Sequence, residues 1–224
     1  MRIPKRNLSL TDTECLIVYD MYALSADEVL LACGPAGLRA VSLHTAQLAA
    51  HELNAFRYVH GVAFDAHTNT LLLLVGAPTG DYFQLVSLRR NASEWLEVQR
   101  LGTRIRHSFY ILNFAVCDSR VLLGERGGDR VYVSDVSAEH TLRDTGNVTL
   151  QSGAYGVACT RRDGVTLVAF SHDTSVSLLR LTSLPLRLVP LASVSLTAPG
   201  PAPVSRRPAA RSCREQSHRV VSRI

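Results

Sequence analysis

The sequence predicts an all-β protein made of four repeated units, each with four antiparallel strands. The same order of elements recurs four times: a short apolar strand, a polar turn, a strongly apolar strand, a second turn, and an alternating strand that ends in Leu or Val. Alanines in the first strand of the successive copies lie roughly forty residues apart, with one insertion. Helical periodicity is weak, and the best helical candidate, residues 44–53, is short enough that a strand is favoured there.

Each copy can be justified in chain order. The first three strands of the four copies fall within residues 22–43, 61–88, 113–136 and 156–181. A short acidic residue marks the first turn of every copy, where its carboxylate can bond neighbouring backbone amides: these residues are Asp27, Asp65, Asp118 and Asp163. A further apolar segment after each third strand (LAAHEL, WLEVQRL, GNVTL and ASVSL) is interpreted as the fourth strand.

Four antiparallel strands at a period of about forty residues are typical of a β-propeller blade. We therefore predict a β-propeller-like array of four blades, at about 15–53, 56–101, 108–150 and 154–196. An all-β sandwich without true repeats is the alternative fold. Four blades could form a closed ring, a half-ring completed by a second chain, or a partial propeller. An open arc would favour self-association through its open blade edges, because apolar end faces would meet water.

The segment SHDTSVSLLRL, residues 171–181, resembles the Ser-x-Asp-x-Thr-Val-x-Val-Trp-Asp-Leu ending of a WD40 repeat. Leu179 stands in the Trp column and Arg180 in the final Asp column. The third copy has Ser134 and Asp135 in the same columns, and its Gly-Gly-Asp-Arg-Val-Tyr-Val run is equally similar to an NHL-type repeat. Either resemblance implies a scaffold whose loops bind a protein partner.

The WD40 resemblance also implies structural roles for acids in the blades. Asp173 is expected to hydrogen-bond within its blade and hold the turns together, while its neighbour His172 is expected to be solvated. In the second and third copies a Gly-Asp pair places the acid one position late, at Asp81 and Asp129. With Asp135 in the final Asp column, these residues are the predicted structural set.

Composition and charge describe a folded domain with a basic tail. Hydrophobic residues make up 46% of the 224 residues and charged residues 19%, as in globular proteins. The net charge of +5 arises in residues 197–224, where six arginines oppose one acid. This Pro-, Ala-, Ser- and Arg-rich tail is predicted to be disordered, and residues 1–14 to be a lead-in. The tail has no aromatic residue to stack on bases, so only weak contacts with nucleic acid are expected.

The cysteines and the lengths of the apolar runs are used here to predict the cellular compartment. The five cysteines are odd in number and include no Cys-x-x-Cys pair, so free buried thiols are expected rather than disulfides. No apolar run is long enough to span a bilayer, and the N-terminal segment turns polar where a signal peptide needs its apolar stretch. We therefore expect a cytoplasmic or nuclear protein without a membrane partner.

The residues that could carry chemistry do not form a recognisable catalytic pattern. The eight histidines lack metal-ligand spacing, and GERGGD, residues 124–129, is a hairpin turn rather than a phosphate loop. We predict a non-catalytic interaction scaffold with no catalytic residue, cofactor or metal. The alternative is a propeller hydrolase or lactonase with a divalent cation in its channel. Candidate partner contacts are the charged residues in turns or connections: Arg104, Arg106, His107, Arg161 and Arg162.

Overall fold

The computed structural model describes residues 15–45, 47–48, 52–76, 82–92, 94–106, 112–125, 127–183 and 185–196. The predicted lead-in and the predicted tail lie outside the described residues. Within these ranges the protein is all-β, with four four-stranded antiparallel sheets arranged as a four-bladed propeller. The fold class predicted from the sequence is confirmed.

Each blade is a meander in which consecutive strands pair. Blade 1 contains β1 (Asp20–Ala23), β2 (Glu28–Ala32), β3 (Leu38–Ser42) and β4 (Gln47–Leu48), and a 3-10 helix follows at Glu52–Ala55. Blade 2 contains β5 (Val59–Asp65), β6 (Thr70–Gly76), β7 (Tyr82–Asn91) and β8 (Glu94–Arg106). Blade 3 contains β9 (Leu112–Cys117), β10 (Arg120–Glu125), β11 (Arg130–Val136) and β12 (Leu142–Thr149). Blade 4 contains β13 (Gly156–Arg162), β14 (Val165–Ser171), β15 (Ser175–Ser183) and β16 (Leu186–Ser195).

The turns between first and second strands follow from their residue types. In blade 3 the turn residues Asp118 and Ser119 both have positive φ, at 54° and 57°. In blade 4 Asp163 and Gly164 take the same conformation, at 51° and 76°. Two-residue hairpin turns of type I′ need positive φ at both positions, which Asp and Gly tolerate better than most residues. The acids that mark the repeat in the sequence therefore also make these hairpins possible.

The core lies between the blades. The first strands are the innermost ones, and they pack side by side in the order β1, β5, β9, β13. One apolar cluster joins blades 1 and 2 around Leu30 and Leu71, and another joins blades 3 and 4 around Leu122 and Phe170. Two further clusters join blades 2 and 3. Among the described residues no buried cluster joins blade 4 to blade 1.

Polar links also run from blade to blade. The carboxylate of Asp20 on β1 accepts a hydrogen bond from the Val62 amide on β5 at 3.1 Å. The first-turn acid of blade 2, Asp65, accepts one from the Ser119 amide in the first turn of blade 3 at 3.3 Å. Each of these bonds satisfies a backbone donor at a boundary between two sheets. They help to fix how neighbouring blades are placed.

The first-turn acid of blade 3 repeats this arrangement. Asp118 accepts a hydrogen bond from the Thr166 hydroxyl on β14 at 3.0 Å. Its other carboxylate oxygen accepts from the guanidinium of Arg161 on β13. The first-turn acids of blades 2 and 3, Asp65 and Asp118, therefore each bind the blade that follows in the chain.

Two disulfides correct the expectation of free thiols. Cys15 is bonded to Cys33 and ties the segment before β1 to blade 1. Cys117, at the end of β9, is bonded to Cys159 on β13, across the boundary between blades 3 and 4, with 5.9 Å between their Cα atoms. The sequence could not show this pairing because the partners come from different blades. Disulfides are typical of oxidising compartments, so the predicted cytoplasmic or nuclear location loses the support of the cysteine argument.

No helix within the described ranges is long and apolar enough to cross a membrane.

Candidate partner-binding site

The innermost strands surround a small cavity at the centre of the propeller. Its volume is about 140 Å³, and all four blades contribute to its wall. The lining residues are Tyr19, Asp20, His60, Phe114, Tyr155, Gly156 and Val157. The His60 ring is held edge-on between Tyr19, with 4.7 Å between ring centroids, and Phe83, with 5.1 Å. Aromatic packing therefore fixes the His60 ring beside the cavity.

The acid of this cavity is already bonded to the backbone. Asp20 accepts from the Met21 amide at 2.8 Å through one oxygen and from the Val62 amide through the other. Burial raises the pKa of Asp20, and these two amide bonds oppose the rise. No group of three or more His, Cys, Asp or Glu side chains in the described part of the chain could hold a metal ion. Asp20 and His60 are the side chains of these types among the described lining residues of the central cavity.

A second site lies at the boundary between blades 3 and 4. It is a cleft of about 360 Å³ that opens beside the turns between first and second strands. Three arginines line it, each from a different strand: Arg120 begins β10, Arg161 lies on β13 and Arg180 lies on β15. The cleft also includes Asp118 and Thr166, described above as the link between these blades.

Three arginines and one acid, Asp118, are among the lining residues of this cleft, and a second acid, Asp135, lies within ion-pair distance of Arg120. Asp118 is bonded to Arg161, whose side chain remains 52% exposed. Arg120 lies 3.4 Å from the carboxylate of Asp135, its partner across the β10–β11 pair. Arg180 is exposed. The arrangement presents arginine donors to solvent from a rigid sheet framework, and planar guanidinium groups suit carboxylate ligands.

The predicted structural acid of blade 4 has a smaller role than its neighbour. Asp173 is exposed and accepts one hydrogen bond, from the Tyr155 hydroxyl at 3.4 Å. The prediction of a solvated His172 is wrong, because this half-buried ring bonds on both sides. Its Nδ1 lies 2.8 Å from the Gly153 carbonyl oxygen, and its Nε2 lies 2.9 Å from the Ser177 hydroxyl.

The hydrogen-bonding role of each His172 nitrogen in the neutral ring follows from its partner. A carbonyl oxygen only accepts, so Nδ1 carries the proton and donates it to Gly153. In the neutral ring Nε2 then accepts from Ser177. A third contact, between Nδ1 and the Ser152 hydroxyl at 3.0 Å, shares the same nitrogen. The imidazole therefore joins the connection between blades 3 and 4 to β15.

The other predicted residues are dispersed. Asp129 is exposed in the β10–β11 turn, where its carbonyl oxygen accepts from the Leu150 amide at 2.6 Å. Arg104 and Arg106 were expected in a connection, but β8 continues to residue 106, so that expectation is wrong. Asp81 and His107 lie outside the described residues.

Among the predicted contacts, Arg161 and Arg162 lie at the turn beside the cleft. Arg162 is 79% exposed, with its Nε 3.7 Å from the Asp163 carboxylate. Sequence reasoning missed Arg120 and Arg180, which the fold brings to the same cleft from two other strands. The one available signal was the repeat itself, since Arg120 directly follows the first turn of its blade and Arg161 lies two residues before that of the next.

Comparison with known proteins bears on the fold. No protein-family model matches the chain, and no curated protein sequence matches it. A solved structure from Lactobacillus plantarum is 14% identical with a TM-score of 0.55, covering 83% of this chain and 57% of its own. A functionally unknown protein from Desulfotomaculum acetoxidans is 12% identical with a TM-score of 0.57, covering 79% and 55%.

A third solved structure, from Bacteroides fragilis, is described as a "putative 6-phosphogluconolactonase". It is 11% identical with a TM-score of 0.54, covering 76% of this chain and 52% of its own. This chain thus spans little more than half the length of each of the three proteins. At such low identity the likeness shows the fold alone. This chain has the fold of a β-propeller.

Proposed function

We propose that this chain is a non-catalytic interaction scaffold that binds an acidic segment of a protein partner in the cleft between blades 3 and 4. The observation that carries the proposal is the convergence of Arg120, Arg161 and Arg180 on one solvent-open cleft with a single lining carboxylate. Arginine donors in a fixed geometry bind carboxylates with two parallel hydrogen bonds, which gives direction as well as affinity.

The strands that carry the three arginines preorganise the cleft for binding. Strands carry all three arginines, so the packed sheets behind them limit the movement of their backbone. The Asp118 carboxylate holds Arg161 through a direct ion pair and so restricts its guanidinium before a ligand arrives. A preorganised site of this kind loses less conformational entropy on binding than a loop does.

We further propose that the repeats are degenerate WD40-like or NHL-like blades. The hydrogen bond that Asp173 accepts within blade 4 supports this assignment. The same turn departs from the WD40 pattern because its shorter hydrogen bonds, at 2.8 and 2.9 Å, are made by His172 and not by Asp173. This assignment concerns the architecture of the scaffold and does not identify its partner.

A channel enzyme is the competing function. One support for it is the central cavity, whose lining includes Asp20, His60, Tyr19 and Tyr155. The other is the lactonase description of the structurally similar Bacteroides fragilis protein, which applies to that protein. The described lining of the cavity supplies one carboxylate and one imidazole, whereas a catalytic metal site usually has three protein ligands. The arginine cleft therefore supports binding better than the central cavity supports catalysis.

The proposal can be tested with a fluorescein-labelled peptide of ten glutamates. Fluorescence anisotropy would compare the full-length protein with an Arg161→Gln/Arg180→Gln variant, which keeps side-chain donors and removes two positive charges. We expect at least tenfold weaker binding for this variant, because two charge-assisted contacts are lost. The matched control is Arg89→Gln, which neutralises an exposed arginine on blade 2.

The basic tail is present in every variant, so its contribution to binding cancels from the comparison. Equal affinities for the wild type, the cleft variant and the control would contradict the proposed site. Stoichiometric zinc or calcium in the purified protein, together with hydrolysis of a lactone substrate, would favour the enzyme instead.

A further inference from the structure

A second cleft lies at the boundary between blades 3 and 4, at the other end of β14 and β15 from the arginine cleft. Its volume is about 550 Å³. The arginine cleft is lined by the start of β14 and by Arg180, whereas this cleft is lined by His172, just after β14, and by Ser175 and Ser177 near the start of β15. Residues 149–152, at the end of β12 and just after it, form its other wall. It is called the serine cleft below.

The described lining of the serine cleft combines neutral polar groups with aliphatic ones. Serine and threonine hydroxyls, the Gln151 amide and the His172 imidazole are its polar groups, and no Asp, Glu, Lys or Arg is among the described lining residues. Its apolar part includes Pro190 together with Leu150 and Leu179, which belong to the buried cluster that joins blades 3 and 4. An uncharged ligand with an aliphatic part therefore suits this cleft better than an ion does.

The outer strand of blade 4 is bulged where it lines the serine cleft. Leu178 pairs with Ala192 and Leu179 pairs with Pro190, so Leu191 is an extra residue in β16. Proline has no amide hydrogen to donate to a neighbouring strand, which makes a bulge a suitable place for it. Leu191 is 51% exposed and lines the cleft. The bulge therefore leaves an aliphatic residue at the rim of the cleft.

Ser177 and His172 have the hydrogen-bonded arrangement of a nucleophile and its base. The Ser177 hydroxyl lies 2.9 Å from Nε2 of His172, and Nδ1 of the same ring lies 2.8 Å from the Gly153 carbonyl oxygen. This carbonyl keeps the proton of the neutral ring on Nδ1, so the lone pair of Nε2 faces the hydroxyl. A nucleophile, a base and a group that orients the base are the parts that activate a serine. Both side chains line the serine cleft.

We propose that Ser177 is a site of covalent acylation, which accepts the acyl group of an uncharged aliphatic ester bound in the serine cleft. Oγ of Ser177 attacks the carbonyl carbon of the ester and gives its proton to Nε2 of His172. The bond from this carbon to the leaving oxygen then breaks, and Nε2 passes the proton to that oxygen. The products are an acylated Ser177 and an alcohol, so the step needs no further reactant.

The acylation site goes beyond the proposed function and is independent of it. The two clefts lie at opposite ends of β14 and β15 and share no described lining residue. A single acyl transfer to Ser177 requires no turnover, so it is compatible with a scaffold. Loss of acylation would leave the binding of acidic segments unchanged, and loss of that binding would leave acylation unchanged.

Reaction of the full-length protein with p-nitrophenyl hexanoate tests the proposal, because each transfer releases coloured p-nitrophenol. Ser177→Ala and His172→Asn should each lower the rate of release at least about tenfold, since a positioned base usually contributes a factor of about 10²–10⁴. The asparagine amide can still donate to the Gly153 carbonyl, but it cannot act as a base. The matched control is Ser193→Ala, which removes a hydroxyl from the same cleft at the residue paired with Ser177, and it should react at the wild-type rate.

Mass spectrometry of acid-quenched samples should place the hexanoyl group on Ser177. Wild-type rates for Ser177→Ala or for a folded His172→Asn, or a hexanoyl group found only on another residue, would overturn the proposal. Circular dichroism shows whether each variant folds. If His172→Asn unfolds, Ser177→Ala decides the outcome, because it removes only one hydroxyl.

The length of the acyl chain tests the class of ester. Burial of one methylene group can raise the rate by up to about fourfold, so the hexanoate should react at least about tenfold faster than the acetate. Leu191→Asn should lower this preference, whereas Leu96→Asn, at an exposed leucine on blade 2, should leave it unchanged. Equal rates for the two esters, or equal preferences in the two variants, would overturn the aliphatic ester as the ligand of this cleft.

Discussion

Replacing His172 with alanine should destabilise the protein more than replacing Asp173. The His172 ring donates to the Gly153 carbonyl at 2.8 Å and accepts from the Ser177 hydroxyl at 2.9 Å, and it is half-buried. Each such bond contributes about 0.5–1.5 kcal/mol net, so the loss of both should lower the free energy of unfolding by about 1–3 kcal/mol. Asp173→Ala removes one 3.4 Å bond at an exposed position and should cost less than about 0.5 kcal/mol.

Urea denaturation followed by circular dichroism measures both variants, with the slope m checked for constancy. Ser177→Ala gives an internal check, because it removes the partner of Nε2 and keeps the bond to Gly153. A double-mutant cycle between His172 and Ser177 should give a coupling energy above about 0.5 kcal/mol, as contacting residues do. Equal losses for the two single variants, or a larger loss for Asp173→Ala, would refute the assignment of the blade 4 network to His172.

Three further predictions concern the links between blades. Replacing Cys117 and Cys159 together with serine should cost about 2–4 kcal/mol, because the bond closes a loop of 42 residues; under reducing conditions, where Cys15–Cys33 is broken in both proteins, the variant and the wild type should unfold at the same urea concentration. Asp118→Ala should cost about 1–3 kcal/mol more than Asp163→Ala, because both changes remove an acid from a turn position with positive φ but only the first strips two donors of their acceptor; similar losses would contradict the role of the blade 3 acid. Burial raises the pKa of Asp20, so the folded state keeps the carboxyl proton to higher pH than the unfolded state does. The free energy of unfolding of the wild type, relative to that of Asp20→Asn, should therefore fall as the pH rises from the unfolded to the folded pKa. A relative free energy that rises between pH 3 and 6 would show the opposite shift.

The strands of this protein could be predicted because their signals are local. The run TLLLLVG forms β6, buried on both sides, and the alternation in VTLVAFS forms β14, buried on one. The pairs Asp118-Ser119 and Asp163-Gly164 make the turns that the repeat had marked. In each case the pattern that predicts the strand or turn lies within the residues that form it.

The candidate site could be predicted only in part. Arg161 was expected to be a contact residue and lines the cleft, but Arg120 and Arg180 gave no sign of sharing it. They come from strands in two blades, and only the placement of blade 4 against blade 3 brings them together. The wrong placement of Arg104 and Arg106 in a connection has a simpler cause. Polar residues can continue a strand when the neighbouring strand extends beside them, and β7 extends beside this end of β8.

The sequence by itself determined the strand order, the blade repeat and the turn chemistry, because each depends on residues close together in the chain. Only the tertiary structure decided the disulfide between Cys117 and Cys159, since bonding depends on a Cα separation that no sequence spacing fixes. The tertiary structure likewise decided that His172 makes more side-chain hydrogen bonds at this turn than Asp173 does. Such partners lie in other strands and connections, and their distances are set by how twisted sheets pack against one another.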